Sequence, residues 1–186
     1  MPADSPTLSA AEAAQAIALQ MLAERGRGAV LVGAARVDAV LERLIKAVLA
    51  PVNPKDDELF KTERPLGSFG AKIALAARLG LIDGAVEKAL HTLRRVRNAF
   101  AHSSGDVGLT DPAHKSRLAD AYTEARSNPL WLPVEQLLVD KGSVDPDLRD
   151  YILLITILVA FLEATAQQLS PLEPPVLMSF SGIVKT

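Results

Sequence analysis

A chain of 186 residues has room for one domain with a sizeable core. It is 49% hydrophobic but only 4% aromatic, so that core must be built from Ala, Leu, Val and Ile, and the Ala and Leu content favours helix. A net charge of −2, from 20 basic and 22 acidic residues, excludes a global pull toward nucleic acid or an acidic membrane, and the absence of cysteine excludes a disulfide framework, a thiolate zinc site and a thiol nucleophile.

The start, MPADSPTLSAAEAAQ, has neither the basic nor the apolar region of a signal peptide, which predicts a cytoplasmic protein. Residues 1–8 read as a disordered lead-in. Ser9 and Glu12 have capping-box spacing and open an alanine-rich helix to about Glu24. Arg25-Gly26-Arg27-Gly28 breaks it. A second helix, about Ala29 to Leu49, carries Val30, Val37, Leu41, Leu44, Ile45 and Val48 at helical spacing, with Arg36, Asp38, Glu42, Arg43 and Lys46 on its polar face. Pro51 and Pro54 end it, and a short turn over 54–58 leads to Leu59 and Phe60.

Gly67 or Ser68 starts a third helix containing Phe69, Ile73, Leu75 and Leu79. Gly80 fits the left-handed cap of that helix, and Asp83 fits the N-cap of a fourth, so the two helices form a tight antiparallel pair. At about 100° per residue, Val86, Leu90, Leu93, Val96 and Phe100 fall on one arc of roughly 120°. His91, Arg95, Asn98 and His102 gather opposite. Arg97 lands beside Leu90 on the edge of the apolar arc, where a guanidinium must snorkel, find a carboxylate or line an interface. Asp38 and Glu42 are its candidate partners, and His102 then caps the end of the helix.

Ser103 to Asp111 reads as a glycine-containing loop. Asp111-Pro112 opens a polar helix to about Arg126, on which His114 is expected to be solvated. A short segment over Val134 to Val139 follows. Asp145-Pro146 then opens the longest helix, about 147–169. Its stretch from Tyr151 to Leu162 is uncharged; at about 18 Å it is too short for a bilayer core of roughly 30 Å. It reads as the central core helix or as part of a dimer interface. The tail, 171–186, is expected to be extended, and no alternating strand pattern stands out. The fold expected is all-α, a single helical bundle of about six to seven helices over residues 9–170.

The block Pro65-Leu66-Gly67-Ser68, Phe69-Gly70-Ala71-Lys72-Ile73 and Leu79-Gly80-Leu81-Ile82, followed by Arg97 and His102 at a helix end, resembles the mannitol operon repressor family. The resemblance covers residues 25–170 in layout and is specific from Pro65 to His102. It implies an all-helical bacterial transcriptional regulator without a recognisable DNA-binding module, which is expected to act through a protein partner; the uncharged face from Tyr151 to Leu162 and the apolar edge at Arg97 predict a symmetric homodimer. Arg97-Asn98-Ala99-Phe100-Ala101-His102 is also similar to the Rx4-6H motif of the HEPN superfamily, whose paired helical domains in many members cleave RNA without metal.

That second resemblance implies a catalytic trio of Arg97, Asn98 and His102. A neutral histidine takes the proton of a ribose 2′-hydroxyl, and an arginine stabilises the charge that develops on phosphorus. Residues five apart on a straight helix diverge by about 140°, so Arg97 and His102 converge only if the helix frays near Ala101 or two subunits contribute. Gly67-Ser68-Phe69-Gly70 lacks the strands of a KH loop and the spacing of a P-loop. His91 and His102 lie about 16 Å apart along the helix and cannot share a metal within one chain. Arg94, Arg95 and Arg97 are too few charges to hold DNA. No cofactor, no metal, no membrane and no direct DNA contact are expected, with RNA a partner only if the nuclease reading holds.

Overall fold

The computed structural model describes the chain except residues 1–5, 25, 54–56, 104–107, 143, 174–175, 181 and 186, and except the side chains of 6–11, 13, 176–179 and 183–185. Parts of the expected lead-in, of the turn after the second helix and of the loop after His102 therefore lie outside the described residues. Among the described residues seven helices pack as one bundle: α1 (Pro6–Leu22), α2 (Arg27–Val48), α3 (Phe69–Arg78), α4 (Gly84–His102), α5 (Pro112–Arg126), α6 (Trp131–Asp140) and α7 (Pro146–Ala166). The all-α architecture agrees with the composition, since Ala, Leu, Val and Ile make up most of the buried hydrophobic residues.

α7 is the core helix. Every residue from Tyr151 to Ala160 is buried, against α1 and α2 on one side and α5 and α6 on the other. Its uncharged stretch, apart from the exposed Phe161, is therefore spent inside the chain rather than on a dimer face. α2 approaches it closely at Gly33, where an added Cβ would meet Ile155 Cγ1 at 3.0 Å and Tyr151 Cε1 at 3.2 Å. The Tyr151 hydroxyl donates to the Val30 carbonyl at 3.0 Å, giving the one polar atom of that ring a partner inside the apolar layer. No helix among the described residues is long and apolar enough to cross a membrane.

Most boundaries fall where the capping residues put them. Asp111 and Asp145 each accept from a first-turn amide, with proline as the first helical residue. α1 starts earlier than its expected capping box, at Pro6, so Ser9 and Glu12 lie within the helix. α6 starts at Trp131, three residues before the expected segment, because Asn128 Oδ1 accepts from Leu130 N at 2.9 Å and turns the chain there. The tail is extended and folds back as an antiparallel hairpin, β1 (Val176–Ser179) and β2 (Gly182–Lys185). The β-branched Val176, Ile183 and Val184 around Gly182, at φ 127°, are the local signal for it.

The joint between α3 and α4 is as the sequence predicts. Gly80 has φ 70°, its amide donates to Ala77 O at 3.0 Å, and Leu81 N donates to Ala76 O at 3.0 Å, the two bonds of a Schellman motif. Asp83 Oδ1 then accepts from Val86 N at 2.8 Å. The joint holds α4 against both α2 and α3 and sets the walls of the cleft described next.

Candidate functional site

A cleft of about 440 Å³ opens where α4 meets α2 and the start of α3. α4 contributes Arg94, Arg97 and Asn98; α2 contributes Asp38 and Glu42; α3 contributes Lys72 and its first turn. The floor on the α2 side is alanine, at positions 34, 35 and 39, so the charged side chains stand over a shallow apolar base. A larger hollow, about 560 Å³, lies at the far end of α2 between Leu49, Val52, Leu59 and Phe60, and contains none of the motif residues.

Gly67 shapes the start of α3. The turn after Phe60 folds tightly, with Arg64 N donating to Lys61 O at 3.0 Å and Gly67 N to Arg64 O at 2.9 Å. A Cβ on residue 67 would collide with the Lys61 carbonyl and stand 3.2 Å from the Arg64 oxygen, so the position has space only for glycine. Ser68 follows as N-cap, its Oγ accepting from Ala71 N at 3.2 Å and its carbonyl from Lys72 N at 3.1 Å. The amides of Phe69 and Gly70 remain as open donors of that helix end.

Lys72, 5% exposed, is the electrostatic centre. Its ammonium lies 2.7 Å from Asp38 Oδ1 and 3.0 Å from Glu42 Oε2, the first contact having ion-pair rather than hydrogen-bond geometry. Glu42 also accepts from Lys46 at 2.8 Å. Burial pushes the Glu42 carboxyl up, but the hydrogen bonds from Lys46 and Lys72 outweigh it and hold the group below its ordinary value. Glu42 is thus ionised and committed, a poor proton acceptor at neutral pH.

This corrects the pairing expected for Arg97. Asp38 and Glu42 belong to Lys72, and Arg97 is exposed at the cleft, its Nη1 donating to Asn98 Oδ1 at 3.1 Å. The physical reason is reach: Lys72 lies on the buried face of α3 with Phe69, Ile73 and Ala76, across from α2, and pairs with both carboxylates, sharing Glu42 with Lys46. That helical spacing was readable, since residues 69, 72, 73 and 76 share a face. Arg94 is part-buried; its Cδ and Nη1 lie 3.5 Å from where a Cβ on Gly70 would stand, and its Nε is buried without an acceptor among the described residues.

His102 does not join this cleft. α4 runs unbroken through it, with Ser103 N donating to Ala99 O at 3.1 Å, so no fraying at Ala101 turns the histidine toward Arg97. The capping expected of His102 falls to Arg27, whose guanidinium donates to Ala101 O at 3.1 Å and Ser103 O at 2.9 Å. No local signal marks that contact, because Arg27 stands at the start of α2, far away in sequence. His114, expected in water, is 5% exposed, with its ring centroid 5.0 Å from that of Phe100. The polar α5 packs on α4 through the face bearing His114, Leu118 and Ala121, and the imidazole is taken inside with it.

The cleft thus presents donors from Arg94, Arg97, Asn98 and the start of α3, beside two carboxylates already ion-paired with Lys72. Such an arrangement recognises an anionic group; within one chain it brings no general base to Arg97. No family model, no curated protein and no solved structure matches the chain.

Proposed function

We propose that the chain is a regulatory helical module of the mannitol-repressor type, acting in transcription control through a protein partner that docks at the cleft of α2, α3 and α4. The observation that carries this is the state of Arg97: exposed at the cleft mouth, steadied by Asn98, and without a carboxylate partner among the described residues, Asp38 and Glu42 being held by Lys72. An arginine so held is poised for an intermolecular pair. The resemblance over Pro65–His102 points the same way, since several of the residues that carry it line this cleft, Gly67 and Ser68 at its rim, Lys72 at its centre and Arg97 at its mouth, with Gly80 in the joint behind it. The module is proposed to work as a homodimer and to make no direct contact with DNA.

The test is transcript profiling of the source cell with the gene deleted, and with Arg97→Glu or His102→Ala in its place. The reading expects Arg97→Glu to reproduce the deletion profile while His102→Ala stays at wild type. A deletion that leaves the transcript profile unchanged refutes it. Purified protein that cleaves single-stranded RNA in chelator, with loss of cleavage in both Arg97→Ala and His102→Ala, would instead establish the HEPN-type nuclease assembled from two chains.

A further inference from the structure

We propose that the cleft receives a carboxylate from an acidic segment of the partner protein, with Arg94 and Arg97 as the residues that bind it. This rests on the reading that a partner docks at this face and adds the chemistry the partner must bring. Two arginines one turn apart on α4 line the same cleft, and neither enters an ion pair among the described residues. Some arginines are answered from within, Arg43 by Glu163 and both Arg126 and Arg149 by Asp150. What sets the cleft pair apart is that the two are neighbours on one wall and that the Arg94 Nε is buried with no acceptor among the described residues.

Their environments differ usefully. Arg94 lies across Gly70, its Cδ and Nη1 3.5 Å from where a Cβ there would stand, and its Nε is withdrawn from water with no acceptor among the described residues. A guanidinium N–H so placed gains most from an incoming oxygen. Arg97 stands at the mouth, where Asn98 takes one of its donors through the amide oxygen and keeps its own amide hydrogens for a ligand. A carboxylate, planar and two-oxygen, matches the guanidinium fork.

Charge decides between a point anion and a polyanion. Arg94, Arg97 and Lys72 against Asp38 and Glu42, three positive and two negative groups, leave the cleft at +1. A nucleic-acid backbone laid through it would bring successive phosphates against the acidic wall, and the chain's net charge of −2 offers no long-range attraction to compensate. A single carboxylate can settle at the arginine end and leave the Lys72 cluster undisturbed.

The test is a nuclear magnetic resonance titration of the ¹⁵N-labelled full chain with a blocked Gly-Glu-Gly-Glu-Gly peptide, following the arginine Nε–H and Asn98 side-chain signals. The expected result is saturable shifts at Arg94, Arg97 and Asn98. They should be absent with the Gln version of the peptide, and apparent affinity should weaken at least fivefold in Arg97→Gln and in Arg94→Gln. Lys141→Gln, on the exposed C-terminal end of α6, should bind as wild type. Because Arg94 is part-buried, the exposed Arg97 variant keeps the test valid should the other fold poorly. Equal shifts with the Gln peptide, or unchanged affinity in Arg97→Gln, overturn the proposal. So does saturation by a phosphoserine peptide or a uridine octamer at tenfold lower concentration. If peptide binding fails while Arg97→Glu still reproduces the deletion profile, the ligand class is wrong and the docking reading survives. If binding holds while the deletion is silent, the reverse is true.

Discussion

Replacing Lys72 with Met removes the ammonium at the centre of the cleft while keeping most of the aliphatic stem that α3 buries. Breaking a fully buried ion pair costs about 3–5 kcal/mol, chiefly because the remaining charge is left in a poor solvent. Here the discount is visible: the side chains of Asp38 and Glu42 are 29% and 27% exposed, and Glu42 retains Lys46 at 2.8 Å. A cost of about 2–3 kcal/mol at pH 7 follows, equivalent to a fall in Tm of roughly 4–12 °C for a chain of this size. Thermal unfolding followed by far-ultraviolet circular dichroism measures it.

The pH dependence of that cost tests the cause. Glu42 has a lowered pKa in the folded protein, so its contribution is present above the ordinary value of 4.5 and is lost as pH falls through the folded value. Lys72→Met lacks the Lys72 share of that contribution and leaves two carboxylates side by side, whose protonation relieves their repulsion. The gap between wild type and variant must therefore narrow from pH 7 to pH 4. A Tm within 1 °C of wild type at pH 7, or a gap that widens in acid, would refute the assignment of Lys72 as the partner of both carboxylates.

Three further outcomes follow from the same geometry. Arg97→Gln should change stability by less than about 0.5 kcal/mol, since the guanidinium is exposed and its neighbour Asn98 can still bond water; an unfolding free energy from chemical denaturation lower by several kcal/mol would mean that Arg97 is structural after all. Gly80→Val should cost well over about 1 kcal/mol, because a β-branched residue resists φ 70°, and an unchanged thermal midpoint would contradict the Schellman cap. The two tyrosines should resist ionisation in the folded chain: burial raises the Tyr151 hydroxyl far above its ordinary value, and burial together with Asp150 and Asp147 raises Tyr122. A raised acid pKa means stability that is complete below about pH 10 and lost as pH rises beyond it. Absorbance at 295 nm and circular dichroism should therefore change together in an alkaline titration, and tyrosinate appearing before the helices melt would count against this burial.

Short-range chemistry was legible from residues alone. The Asp-Pro starts of α5 and α7, the Gly80–Asp83 joint and the all-α class each depend on a few neighbouring residues whose backbone preferences leave little choice, so reading them needs no knowledge of the rest of the chain. The apolar arc of α4 belongs with them, because helical periodicity alone collects Leu90, Leu93, Val96 and Phe100 on one buried side. Partnership is different. Whether Asp38 and Glu42 meet Arg97 or Lys72 turns on a few ångströms of helix placement, and whether the uncharged stretch of α7 is core or interface turns on how many helices surround it. Arg27 reaching the last carbonyls of α4 and His114 drawn under Phe100 are likewise contacts between elements. Pattern within a helix says which face is apolar; only packing says which neighbour arrives first to satisfy a charge, and that competition among long side chains is what the tertiary structure decided.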